Sequence, residues 1–319
     1  MKKAIFNQLT MVLSESCRNE SLLLLASLDE EMNRLKLRVG VDRAPSTLRT
    51  LKVVRKHLSC FLLHSTGQED IAMSSLSPLF IEQYSNYLSS MVKLSSTSIW
   101  AYVTPLKRLL RRAHQEGRIP SDPFASFHIT PHVKRRVFLT FPELQKMLQL
   151  PLDDEELCFV RDMFLFASFT GLSFIDLQQL KHDALSSLHG EKWILSHRQK
   201  THTSFQVRLL PIPLRIFHQW ATVPESPEMK VFLLYGYKRM SRKLKRIVEL
   251  CGIEKRVTWH SARHTFATMA LNNGMPIESV SRVLGHTKIS TTQIYAQLSL
   301  DKLGRDFEVL DRNLHCNEY

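Results

Sequence analysis

The chain has 319 residues, 44% of them hydrophobic, and its 43 Lys and Arg against 30 Asp and Glu leave a net charge of +13. That is apolar material for two domains and a polyanionic partner, with nucleic acid ahead of an anionic membrane surface. The 5 cysteines, Cys17, Cys60, Cys158, Cys251 and Cys316, are dispersed and form no CxxC pair, which argues against a disulfide framework and a zinc knuckle.

Residues 1–20 lack a clear period and read as an arm or a short helix. Met1-Lys2-Lys3 opens like a leader, but Asn7, Gln8 and Thr10 interrupt what would be its apolar segment. The apolar run Leu22 to Leu28 is too short to span a bilayer and meets Asp29, Glu30 and Glu31 at once, so a cytoplasmic, nucleoid-associated protein is expected. Ser21 starts a first helix that Gly40 stops. Ser46 starts a second, with Leu51, Val54, Leu58 and Leu62 at helical spacing and Lys52, Arg55 and Lys56 between them. A third follows Pro78, and a fourth begins near Ser95 or Ser96, carries Lys107, Arg108, Arg111 and Arg112, and ends by Gly117 and Pro120. Residues 21–125 therefore predict a helical bundle. Two of its helices are basic enough to grip DNA, against the plainer reading that these charges only solvate the bundle. Residues 126–136, broken by Pro131, read as a linker whose Lys134, Arg135 and Arg136 would lie on a duplex backbone.

A second domain is expected over 137–311, with 312–319 as a tail. It opens on a capping box of Thr140 and Glu143 with Pro142 in the first turn. A helix from Glu155 to about Ser168 leads to Thr170-Gly171-Leu172-Ser173. Trp193 to Leu195 and Phe205 to Leu210 predict a β-hairpin with Lys200 near its tip. Helices resume after Pro211 and Pro213, among them Tyr237 to Cys251, dense in Lys and Arg. The fold class is mainly α with a small β-hairpin or sheet (α+β).

One stretch, Trp259 to Ala296, gathers groups that suit attack on a DNA phosphate. Such a displacement needs a nucleophile, cations on the non-bridging oxygens, a proton acceptor and a proton donor to the leaving oxygen. Tyr295 is the candidate nucleophile, its phenolic pKa of ~10 needing nearby positive charge. Arg263 offers a planar fork to a phosphate oxygen, and His260, one turn earlier on the same face, reaches the same pocket. Lys200 on its hairpin would protonate the leaving 5′ oxygen. His286, after Gly285, would donate to the phosphate, and Ser290 or Thr291 would cap the short helix presenting Tyr295. His264 is expected to point elsewhere and satisfy a buried hydrogen bond. No metal or other cofactor is called for, since the cations are side chains.

His260-Ser261-Ala262-Arg263-His264-Thr265-Phe266-Ala267, then Leu284-Gly285-His286-Thr287, then Thr291-Thr292-Gln293-Ile294-Tyr295 resemble the catalytic C-terminus of the tyrosine recombinases (phage-integrase family). The Thr170-Gly171-Leu172 turn and Lys200-Thr201 match that family in order, and the TGLS-type turn is most similar to integrases of Bacteroides-type mobile elements. The helical first domain is similar to the family's core-binding domain. The resemblance implies a 3′-phosphotyrosine intermediate on duplex DNA and two rounds of strand exchange by four protomers through a Holliday junction. A DNA-bending accessory protein stays open. The apolar stripe Phe307, Leu310 and Leu314 would dock on a neighbouring protomer, or else pack on its own domain.

The family's turn reads T-G-L-R, and its arginine clamps the scissile phosphate; here the position is Ser173. Asp176 matches the family's supporting acid. An unreplaced clamp would cost on the order of 3 kcal/mol or more in the transition state. Arg198, two residues before Lys200, is the candidate substitute, with Lys181 and Arg208 weaker ones; the alternative for Arg198 is a DNA-backbone contact away from the reacting phosphate. Two further functions compete: a catalytically impaired DNA-binding protein of the same fold, and a type IB-like topoisomerase.

Overall fold

The computed structural model describes residues 22–130, 136–199, 203–296 and 300–315. The arm expected over 1–20, together with Lys134, Arg135 and Lys200, lies outside them. The chain divides into two compact units, Met1–Lys134 and Arg135–Tyr319.

In the first unit, α1 (Leu24–Arg38), α2 (Pro45–Thr66), α3 (Pro78–Ser90) and α4 (Ser96–Gln115) form a bundle. Its core includes Leu28, Val54, Leu58, Leu62, Ile81, Tyr84, Leu106 and Leu110, the apolar positions that the helical period picks out. The N-terminus of α1 has no cap of its own; Asp70 accepts from the Leu25 and Ala26 amides at 2.8 and 3.1 Å. Three of the basic side chains have partners within this unit. Arg55 forms a two-pronged pair with Asp29 (2.6 and 2.8 Å), Arg112 donates to Glu31 at 2.8 Å, and Lys107 donates to the Phe127 carbonyl. These three tie the bundle together, whereas Lys52, Lys56, Arg108 and Arg111 are exposed.

The second unit begins with α5 (Phe141–Gln149), where the Thr140–Glu143 capping box forms as expected. Next comes α6 (Glu155–Thr170), buried at every residue from Asp162 to Thr170. A helix apolar on all sides belongs at the centre of a domain, and α8 (Pro211–Trp220), α9 (Tyr237–Leu250) and α10 (Trp259–Asn272) pack around it. Arg239 and Lys243 of α9 pair with Glu156 and Asp154 at the start of α6. Between α6 and α8 lie the short α7 (Phe174–Gln178) and a sheet of β1 (Leu185–Leu188), β2 (Glu191–His197) and β3 (Ser204–Arg208), antiparallel in that order.

The hairpin read from sequence is thus two-thirds of a three-stranded sheet. β1 is only four residues, LSSL, and its turn is the better signal: His189 and Gly190 both have positive φ, as a type I′ hairpin requires. The chain continues through α11 (Ile277–Leu284), α12 (Ser290–Gln293) and α13 (Leu300–His315). On α13, Leu303, Phe307, Leu310 and Leu314 are exposed, so the stripe does not pack on its own domain. Among the described residues no helix is long and apolar enough to cross a membrane, and no three His, Cys, Asp or Glu side chains cluster as a metal site. Cys60, Cys158 and Cys251 are free.

Candidate active site

Two helix C-termini build the floor of the site. α6 ends at Gly171 and α11 at Gly285, both left-handed (φ +70° and +59°). The last carbonyls of a helix lack intrahelical donors and carry the negative end of its dipole, so they attract cations. Here they hold two guanidinium groups. Arg263, from α10, donates to the Gly171 carbonyl at 3.1 Å and to that of Leu284. Arg198, just past β2, donates to the Leu284 and Val283 carbonyls at 2.9 Å each and more weakly to Gly171 at 3.5 Å. Both glycines have to be glycine. A Cβ on Gly171 would lie 2.7 Å from the Phe266 ring, and one on Gly285 would lie 2.8 Å from Arg198 Cγ.

Ser173 caps α7, and its hydroxyl donates to Asp176 Oδ2 at 2.6 Å. The same oxygen accepts from Arg198 at 2.7 Å, while Oδ1 accepts from the Gln199 amide at 3.0 Å. Burial alone would raise the Asp176 carboxyl, but the Arg198 charge and these three donors hold it below the usual carboxylate range. The ion pair is 5% exposed on both sides, and the Phe205 ring lies 4.1 Å from the guanidinium carbon. Arg198 is therefore no surface contact for distant DNA backbone, as one reading of the sequence held. It lies against Asp176 three residues from Ser173, beside Arg263. Of the weaker candidates, Lys181 pairs with Glu228 at 3.3 Å and Arg208 pairs with Glu191, both in exposed ion pairs. Arg198 and Arg263 set two positive charges against the single carboxylate of Asp176. Burial first, and the Arg198 charge second, push Arg263 down to about 9.

Of the other predicted groups, His260, His286 and Tyr295 lie near the same place, and Lys200 is outside the described residues. His260 and Arg263 lie on successive turns of α10, and His260 is exposed. His286 follows Gly285, and its Nδ1 is 2.8 Å from the hydroxyl of buried Thr292. Burial, then the charges of Arg263 and Arg198, push its imidazole down to about 4, so it is neutral near pH 7. Tyr295 is 8% exposed and sits in the turn after α12. Neither Ser290 nor Thr291 caps that helix: Ile289 holds the N-cap position, without a side-chain bond. Nor does positive charge prevail at the phenol. Burial raises its pKa, and Arg263 and Arg136 only oppose that rise. The residue misjudged from sequence is His264. It does satisfy a buried hydrogen bond, but the partner is Tyr295, with Nδ1 2.8 Å from the phenol oxygen.

The phage integrase family model matches residues 137–301, and the phage integrase SAM-like domain model matches residues 23–129. The chain belongs to the phage integrase family. Among curated members, a tyrosine recombinase of Pseudothermotoga lettingae is 28% identical over 252 residues, covering 75% of this chain and 83% of the relative. Tyrosine recombinase XerD of Lacticaseibacillus casei is 30% identical over 221 residues, covering 63% and 72%. Among solved structures, a Tn1549 transposon integrase in complex with a circular intermediate DNA superposes with a TM-score of 0.68 at 17% identity, over 89% of this chain and 98% of that one. A lambda integrase dimer bound to a COC′ core site gives 0.67 at 17%, over 86% and 95%. These two likenesses concern the fold. Within the family, the bundle α1–α4 falls in the SAM-like match, and the cluster from Gly171 to Tyr295 in the integrase match.

Proposed function

We propose that this chain is a site-specific tyrosine recombinase in which Tyr295 attacks a DNA phosphate held by Arg263 and Arg198. The observation that carries the assignment of roles is the pair of buried guanidinium groups sharing the Gly171 and Leu284 carbonyls beside a buried phenol, with one carboxylate for two cations. A buried charge without a full counter-ion is unfavourable until an anion arrives, and a phosphodiester supplies that anion. Tyr295 Oη bonds to phosphorus and releases its proton to solvent, the P–O5′ bond breaks, and the 5′ oxygen takes a proton. Lys200 is the proposed donor, with His260 and His286 on the phosphate. Attack of a 5′ hydroxyl on the phosphotyrosine reverses the chemistry and rejoins the strand, so no external energy is needed.

Arg198 stands in for the arginine absent at Ser173. The serine is short, and its hydroxyl and the Arg198 guanidinium meet on the same Asp176 oxygen. A second reading rests on the same side chain. A guanidinium has five N–H donors, and Arg198 spends four bonds on protein acceptors, which favours a DNA-binding protein of impaired cleavage. Around the chemistry we infer a tetramer on synapsed duplexes, with exposed α13 docking on a neighbouring copy. A bending accessory protein, and integration, excision or inversion as the outcome, belong to the same proposal.

The test traps covalent protein–DNA complexes in cells expressing tagged wild type or Tyr295→Phe and sequences the attached DNA. Adducts at a defined site that vanish in the variant are expected. Wild type that binds DNA but traps no more than the variant would give the impaired reading the lead, and relaxation of supercoils by single protomers without a defined site would favour a topoisomerase.

A further inference from the structure

His264 has no part in the chemistry above, yet it is the side chain that holds the phenol. It is 4% exposed, directly follows Arg263 on α10, and lies with Nδ1 2.8 Å from Tyr295 Oη and the two rings 5.2 Å apart. The His260 ring packs edge-on against it at 4.3 Å. The segment bearing Tyr295 does little to fix the phenol by itself. α12 is four residues long and uncapped by a side chain, and Tyr295 is joined to it by a turn bond from its amide to the Thr292 carbonyl at 3.0 Å. The apolar neighbours Phe266, Leu271, Val280 and Leu284 bury the ring. Dispersion contacts of that kind have no direction and do not select where the oxygen sits. A hydrogen bond does, and this one originates one residue from a phosphate-holding arginine.

We propose that His264 is a positioning residue for the nucleophile, its Nδ1 anchoring the Tyr295 phenol oxygen to α10 so that Tyr295 and Arg263 keep a fixed separation. The inference rests on Tyr295 being the nucleophile. His264 positions the phenol and does not take its proton. Burial first, then the charges of His260, Arg136 and Arg263, push its imidazole down to about 3, so an added proton there is strongly disfavoured. With the ring neutral and its proton on Nε2, the phenol donates to Nδ1. An asparagine places an amide oxygen near the Nδ1 position and can accept the same bond, but it cannot carry the proton away.

The experiment compares trapped covalent DNA in cells expressing wild type, Tyr295→Phe, His264→Leu and His264→Asn. Each yield is normalised to formaldehyde-crosslinked DNA occupancy and to the melting temperature of the purified full chain. Misplacing a reacting group by about 1 Å can cost about 10²-fold, so His264→Leu should lose adducts on that scale with occupancy retained, while His264→Asn stays within roughly threefold of wild type. A role in packing alone predicts the opposite order, with leucine tolerated at least as well as asparagine. Adducts retained by the leucine variant overturn the proposal. So does their loss in a folded, DNA-bound asparagine variant, which would make His264 the proton acceptor. If the leucine variant does not fold, the asparagine variant decides by the same thresholds. Wild type without Tyr295-dependent adducts would instead remove the nucleophile assignment, and this inference with it.

Discussion

Replacing Arg198 with lysine separates charge from geometry at the side chain proposed to make up for the arginine absent at position 173. The guanidinium reaches Asp176 (2.7 Å), Leu284 and Val283 (2.9 Å each) and Gly171 (3.5 Å) from one planar group. A lysine ammonium keeps the positive charge and can keep the Asp176 pair, but it is a point donor and cannot span all three carbonyls. Arg263 still serves the Gly171 and Leu284 carbonyls, so the Val283 carbonyl is the one left without a donor, at about 1–3 kcal/mol, and Arg198→Lys should melt lower yet remain folded. Arg198→Ala is the blunter change, since removing one partner of a buried pair costs about 3–5 kcal/mol, a large share of a typical domain's ~5–15 kcal/mol. If Arg198 also clamps the reacting phosphate, Arg198→Lys should lose about 10²–10³-fold in covalent complex formation, roughly 3–4 kcal/mol in the transition state. The assay is single-turnover trapping on a nicked duplex carrying the recovered site, at a temperature where both proteins are fully folded. Wild-type cleavage by a less stable Arg198→Lys, alongside complete loss in Arg263→Ala, would refute the substitution and leave Arg198 as a purely structural tie.

Gly285→Ala should lower both stability and cleavage. It places a non-glycine residue at φ +59° and a methyl 2.8 Å from Arg198 Cγ; Gly252→Ala, at φ +62° with nothing within 4 Å, pays only the backbone term of roughly 1–2 kcal/mol, and equal losses in the two would sink the idea that Gly285 seats Arg198. On acidification the second unit should lose stability from about pH 6.5 downward. His264 and His286 stay neutral when folded, with pKa values of about 3 and about 4, but take up protons when unfolded near the usual 6.5. The unfolded state thus binds more protons in that window and stability rises with pH. Asp176, depressed in the fold, adds stability above its ordinary 3.8 that is lost at still lower pH as it protonates. Melting temperatures flat between pH 6.5 and 4.5 would refute the buried neutral histidines.

The helices were legible because their period coincides with their burial. Leu51, Val54, Leu58 and Leu62 face the core as their spacing requires, and Thr140 and Glu143 form the expected box. The catalytic stretch was legible as an ordered set of residue types. What the sequence withheld is where side chains turn once the chain folds back. The partners of Arg198 lie 22 to 86 residues away, and no local pattern distinguishes a buried bridging arginine from a surface one. A basic helix face reads the same whether it meets phosphate or the acids of a neighbouring helix, and Arg55 and Arg112 do have such acids as partners. His264 was misplaced for a related reason. Adjacent helical residues point about 100° apart, which separates them on one cylinder, but Arg263 and His264 each meet a different part of a segment that wraps around α10: the end of α11 and the turn after α12.

If Arg198 replaces an arginine of the turn after α6, as proposed, the contacts of Asp176 take on a role. Were an arginine at position 173, one element could supply both the cation and its supporting acid. With serine there, the acid at 176 caps α7 through Ser173 and at the same time draws Arg198 and the Gln199 amide across from the sheet. The carboxylate thereby couples the loop that leads to Lys200 to the helix termini that hold Arg263. Arg198 and Arg263 reach the same two carbonyls, those of Gly171 and Leu284, because α6 and α11 present their negative ends to one point; on the proposed function, either chain route to that point would deliver a guanidinium to the phosphate.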